Sequence, residues 1–137
     1  MKGALDTAEK KGANIENAVV MGYCFGGAAV LELARSGADL KGFATFHGGL
    51  QTPPGQNYAN TRGKILIMHG SADTAITMDQ FADLAKELES SGVAHEMITY
   101  GGAQHAFTVF DGDRYQEVAD NKSWKRFTEF LTDTLKN

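Results

Sequence analysis

Apolar positions fall along the chain in two kinds of stretch, short continuous runs and longer segments with helical spacing, and the two kinds alternate. From Met1 to Lys11, Ala4, Leu5 and Ala8 share one helical face among charges and Gly12 follows, which predicts a short amphipathic helix. Ala18-Val19-Val20-Met21 predicts a strand. Beyond the turn Gly22-Tyr23-Cys24-Phe25-Gly26-Gly27, a helix-forming run from Ala28 reaches about Arg35, where Ser36-Gly37 stops it. Leu40 to Phe46 reads as a second strand, ended by His47-Gly48-Gly49. A loop from about Leu50 to Gly63 holds both prolines and leads into a third strand, Lys64 to His69, whose unbroken Ile65-Leu66-Ile67-Met68 suits burial on both faces. Thr77 is placed to cap a helix over Met78 to Ser91, in which Phe81, Leu84, Ala85 and Leu88 form one face, and Gly92 stops it. His95 to Tyr100 predicts a fourth strand. A closing helix spans about Gln116 to Lys136, with Trp124, Phe127, Phe130 and Leu131 on its core face.

Strands separated by helices predict the α/β class, a parallel sheet of about four strands flanked by helices. Composition narrows this further. With 137 residues, 42% apolar and 22% charged, the chain has the size and balance of one domain over residues 1–137. A net charge of -4 without a Lys/Arg cluster predicts no nucleic-acid partner. No apolar run approaches the roughly 18 residues of a membrane span, so no membrane association is expected. One cysteine permits no internal disulfide and no leader pattern opens the chain, which together predict a reducing, cytoplasmic setting.

In parallel sheets the chemistry gathers beyond the carboxyl ends of the strands. Cys24, the sole cysteine, follows the first strand between glycines two residues before it and two after it. This is the layout of a nucleophile elbow, a strained strand-to-helix turn in which small neighbours make room for the nucleophile. The following helix turns its N-terminal amides toward the thiol. Such amides are expected to lower the thiol pKa and to hold an oxyanion, with the Phe25 N–H as donor. Asp73, in His69-Gly70-Ser71-Ala72-Asp73, follows the third strand, and His105, in Gly101-Gly102-Ala103-Gln104-His105-Ala106-Phe107, follows the fourth. A thiol needs a base, and an imidazole needs a carboxylate to fix its tautomer, so Cys24, His105 and Asp73 have the residue types of a nucleophile, base and orienting acid. Tyr23, His47 and Phe107 are candidates to line the pocket. His47 and His69 otherwise read as hydrogen-bonded structural histidines, His95 as a surface residue, and Asp111-Gly112-Asp113 as a turn. The histidines and cysteine show no spacing of the His-x-x-x-His kind, so neither metal nor cofactor is expected.

Gly-Tyr-Cys-Phe-Gly-Gly, followed by His-Gly-x-x-Asp and Gly-x-x-His-Ala-Phe, resembles the dienelactone hydrolase family of the α/β-hydrolase superfamily over nearly the whole chain. The resemblance implies a truncated α/β-hydrolase-like fold, its C-terminal part only. It also implies hydrolysis of a small ester or lactone through Cys24 as nucleophile, His105 as general base and acid, and Asp73 as its orienting partner. By the same resemblance, a second oxyanion donor, an acidic partner for the resting cysteine and one substrate-binding arginine belong to a part of the fold before this chain. Another arginine is replaced near Thr108 or Val109. The nucleophile strand, central in the family, becomes an edge here, and an open apolar edge predicts a homodimer that covers it. Two competing readings are a non-catalytic binding or assembly module with a vestigial triad, and a redox-sensing thiol at Cys24.

Overall fold

The computed structural model describes residues 2–135. Four parallel strands, β1 (Val19–Tyr23), β2 (Gly42–Phe46), β3 (Lys64–Gly70) and β4 (His95–Tyr100), lie in the sheet in chain order. Four α-helices accompany them: α1 (Lys2–Lys10), α2 (Phe25–Arg35), α3 (Met78–Ser90) and α4 (Glu117–Leu135), with a 3-10 turn at Ile15–Asn17 before β1. This is the predicted α/β class with the predicted strand number. Boundaries moved by small steps. β1 runs on through Tyr23 rather than stopping at Met21, because its ladder with β2 continues to the pair Tyr23 and Phe46. β2 starts at Gly42 rather than Leu40, and β3 extends to Gly70 opposite Tyr100. The ends predicted at Met1 and Lys136 lie outside the described residues.

The sheet is buried on both faces, and the two-residue period of β2 and β3 assigns each side chain to a face. Phe43, Ile65 and Ile67 point into a core closed by α2 and α3, with Val30, Leu31, Leu84 and Leu88 packed against them. Ala44, Phe46, Leu66 and Met68 point to the other face, which α4 covers with Phe127 and Phe130. Burying these two rings contributes about 1.5–3 kcal/mol each, and this burial seats α4. Trp124 departs from the predicted core face: it is 51% exposed, its ring tilted against Phe46 and Phe127 at the flank of the helix. Ala119, Ser123, Phe127 and Phe130 form the buried stripe, and Trp124 falls outside it. α3 begins as predicted, with Thr77 and Gln80 forming a reciprocal capping box.

Among the described residues, β1 is an edge strand of the sheet. Val19, Val20 and Met21 are half-buried there, while Tyr23, Phe25 and Trp124 leave aromatic surface exposed nearby. Among the described residues no helix is long and apolar enough to cross a membrane.

Candidate active site

Cys24 occupies the single residue between β1 and α2, with φ 50° and ψ −120°. Positive φ is uncommon for a non-glycine residue and costs on the order of 1–3 kcal/mol. The surrounding glycines show what holds it there. A Cβ at Gly22 would fall on the backbone of Gly26, and one at Gly27 would stand 2.7 Å from Gly48 Cα. Gly26 has nothing within 4 Å, so the crowded position after the cysteine is Gly27 rather than the expected Gly26. The amides of Gly27 and Ala28 bond the Cys24 carbonyl at 3.0 and 3.3 Å. Among the described residues, the Phe25 and Gly26 amides at the start of α2 have no backbone acceptor. Phe25 itself is 87% exposed.

The sheet register brings in a residue expected to be mainly structural. Tyr23 pairs with Phe46, and Cys24 N bonds Phe46 O at 3.2 Å, so Cys24 and His47 are the residues just past the ends of two adjacent strands. His47 also has positive φ, 39°. Its Nδ1 lies 3.3 Å from Cys24 Sγ and its Nε2 lies 2.8 Å from Thr108 Oγ1. It is fully buried against Phe107, Tyr23 and His105. Burial, with His105 nearby, lowers its pKa to about 4, so at neutral pH it is uncharged.

Asp73 and His105 meet across the ends of β3 and β4. His105 Nδ1 is 2.8 Å from Asp73 Oδ2, and Asp73 Oδ1 accepts the amides of Ala75 and Ile76 at 2.9 Å each. Burial by itself would raise the Asp73 pKa. The Ile76 amide, His105 and the Ala75 amide outweigh it and hold the carboxyl below its ordinary range. Asp73 therefore serves its own turn and His105 together. The residue after the histidine, Ala106, is again at positive φ, 65°, and three of the four strained non-glycine residues among those described thus adjoin the site.

The thiol's hydrogen-bond partner is His47 and not His105. Sγ and one ring nitrogen from each of His47 and His105 lie within 4.8 Å of one another. The thiol departs from the expected acidity: burial first, then the charge of Asp73, push its pKa up, with Arg114 working in the opposite direction. The raised pKa favours the S–H form, in which the thiol donates to His47 Nδ1 and the His47 Nε2–H faces Thr108 Oγ1.

Of the pocket candidates, Tyr23 is 39% exposed and stacks on Phe46 with centroids 4.7 Å apart, beside the thiol. Phe107 is fully buried, its ring edge-on to that of His47. His69 is buried and bonds Ile76 O at 2.9 Å, as a structural histidine does. His95 is not a surface residue: its side chain is only 14% exposed and bonds Val93 O at 2.7 Å. Arg114 stands in no recognisable motif, and Thr108, placed by the resemblance only where an arginine is replaced, gave no sign in the sequence of its contact with His47. A cavity of about 200 Å³ lined by Lys64, His95 and Arg126 lies at the opposite ends of the strands, away from Cys24.

A parallel sheet with a strained elbow after β1, an acid after β3 and a histidine after β4 defines the class: an α/β-hydrolase-like fold, represented here by four strands. The chain belongs to the dienelactone hydrolase family, whose family profile matches residues 1–135. It is 27% identical over 129 residues to the "putative carboxymethylenebutenolidase" of Synechocystis sp., covering 88% of this chain and 52% of that protein. It is similar to a dienelactone hydrolase-like promiscuous phosphotriesterase from metagenomic libraries, with 30% identity and a TM-score of 0.78 over 85% of this chain and 52% of that one. In fold it matches the dienelactone hydrolase-type structure from Klebsiella pneumoniae at a TM-score of 0.88 and 21% identity, covering 96% and 58%. The chain thus spans about half the length of the curated relatives it matches.

Proposed function

We propose that the chain carries the centre of a thiol-dependent hydrolase acting on a small carboxylic ester or lactone, with Cys24, His105 and Asp73 as its triad. The observation that supports this most directly is the 2.8 Å pair of His105 and Asp73 beside a cysteine held in a strained elbow. Asp73 fixes the proton on His105 Nδ1, which leaves Nε2 free to act as a base. Rotation about the Cys24 Cα–Cβ bond carries Sγ from His47 toward that nitrogen. Sγ attacks the carbonyl carbon, its proton passes to His105 Nε2, and the Phe25 amide receives the developing oxyanion. Collapse of the tetrahedral adduct breaks the C–O bond, and His105 returns the proton to the leaving alkoxide. Water activated by the same nitrogen then releases the acid from the acyl-thioester and restores the thiol.

Arg114, exposed and close enough to act on the thiol's charge, is the cation that would favour an anionic ester. The Phe25 amide is one oxyanion donor, and losing one such donor costs on the order of 10² to 10³ in rate. The open β1 edge and its exposed aromatics support a homodimer formed across that edge, and a monomer by light scattering at micromolar concentration overturns it. A lone thiol nucleophile fits a reducing, cytoplasmic setting.

Hydrolysis of a small activated aryl ester tests the central reading. Turnover or an acyl burst that disappears in both Cys24→Ala and His105→Ala supports it. Equal slow rates in all three proteins overturn it and leave the non-catalytic module.

A further inference from the structure

Cys24 Sγ lies within 4.8 Å of an imidazole nitrogen from each of His47 and His105, and this convergence has a chemistry separate from ester hydrolysis. His47 presents Nδ1 at 3.3 Å from Sγ because its Nε2 is held by Thr108, and His105 presents Nε2 because its Nδ1 is held by Asp73. Each ring is thus oriented by a partner on its far nitrogen, the arrangement that positions histidines bound to metals. All three donor atoms lie within 4.8 Å of one another. A tetrahedral zinc ion, with bonds of about 2.3 Å to sulfur and 2.0–2.1 Å to nitrogen, needs its ligand atoms roughly 3.3–3.6 Å apart. The thiol and His47 already stand at that separation, and the widest pair has about 1.3 Å to close.

We infer that Cys24, His47 and His105 form a three-ligand site for a thiophilic divalent cation of the zinc type, and that its occupancy switches the centre off. Thiolate and two imidazoles are the donor set that borderline-soft cations prefer over magnesium or calcium. The ion takes the place of the thiol proton, which passes to solvent, and occupies the sulfur lone pair and the His105 nitrogen together. Cys24 and His105 are only partly buried, so the ion can enter and be withdrawn. Asp73 supplies a compensating negative charge behind His105, and the positive charge of exposed Arg114 also acts on the thiol. His69 and His95 stand outside the cluster, each bonded to a backbone carbonyl. Sequence spacing conceals the site because its ligands come from the ends of three different strands.

Metal binding stands by itself, whereas inhibition rests on the hydrolase reading of the same residues. Reduced, chelator-treated protein is titrated with Co²⁺, and a thiolate-to-cobalt charge-transfer band rising to one ion per chain is expected, with Zn²⁺ bleaching it. Zn²⁺ should also protect Cys24 from alkylation. Cys24→Ala should abolish the band. Thr108→Val, which frees the far side of His47, should weaken binding about 10-fold, and His47→Asn by more than the 10- to 100-fold typical of an outer partner. His95→Asn should leave it unchanged. Absence of a band, a band that survives Cys24→Ala, or equal affinity in Thr108→Val and His47→Asn overturns the site. Ester hydrolysis that persists or rises at saturating Zn²⁺ overturns the switch. A band and protection in a protein with no esterase activity would leave the metal site standing and remove the hydrolase reading together with the switch that rests on it.

Discussion

The three glycines around Cys24 look interchangeable in the sequence and are unequal in the fold, so alanine at each gives a graded test of the elbow. At Gly27 the added methyl would stand 2.7 Å from Gly48 Cα and 3.2 Å from Thr45 Cβ, where carbon atoms prefer about 3.5–4.0 Å. The shortfall of about 1 Å to Gly48 falls on backbone on both sides, and overpacking of this kind costs about 1–3 kcal/mol. Helix propensity returns at most about 1 kcal/mol, so Gly27→Ala should lose about 1–2 kcal/mol net. At Gly22 the methyl meets the carbonyl carbon and oxygen of Gly26, and the start of α2 itself must shift. That loss should reach about 3 kcal/mol or more. Gly26 has open space and lies in the first turn of α2, so Gly26→Ala should gain about 0.5–1 kcal/mol. In thermal melts followed by circular dichroism, roughly 3–5 °C corresponds to each kcal/mol for a chain of this size. The expected order of midpoints is Gly26→Ala above wild type, then Gly27→Ala, then Gly22→Ala. A Gly26→Ala midpoint at or below that of Gly27→Ala would refute the steric account of the elbow.

Asp73→Asn should lower ester hydrolysis by roughly 10³ to 10⁴, since an amide facing His105 Nδ1 disturbs the tautomer that leaves Nε2 unprotonated; an unchanged kcat excludes the orienting role. Asp73 also links stability to pH: its depressed pKa adds stability above its unfolded value, and this is lost as pH falls through the folded value. Urea unfolding of wild type should therefore weaken more steeply below about pH 4 than that of Asp73→Asn, and parallel profiles would count against the linkage. Alkylation of Cys24 by iodoacetamide should keep accelerating past the ordinary thiol pKa of about 8.5, because burial and Asp73 raise it. A plateau below pH 8 contradicts that. Arg114→Ala should move the alkylation curve higher still and reduce kcat/KM for an anionic ester more than for a neutral one; equal losses would remove Arg114 from substrate choice.

The chain by itself determined the alternation of elements, because periods of two and of about three and a half residues are written into which positions are apolar. Ile65 to Met68 had to be a strand buried on both faces, and the Thr77 cap had to start a helix, from local chemistry alone. Cys24, Asp73 and His105 were legible as residues just past the ends of β1, β3 and β4, and the pairing of His105 with Asp73 follows from that placement. Tertiary structure decided the rest. Whether Gly26 or Gly27 is crowded depends on the approach of Gly48, a residue from the next strand's loop. Trp124 lies at a flank because the sheet meets α4 along Phe127 and Phe130. His47 became the thiol's partner through the β1–β2 register, which sets Cys24 and His47 side by side just past Tyr23 and Phe46. Register and packing join residues distant in the chain, and a pattern read along one strand of sequence carries no measure of them. The same is true of acidity: the elbow's helix amides suggested an acidic thiol, but the burial and the Asp73 charge that raise it exist only once the chain has folded.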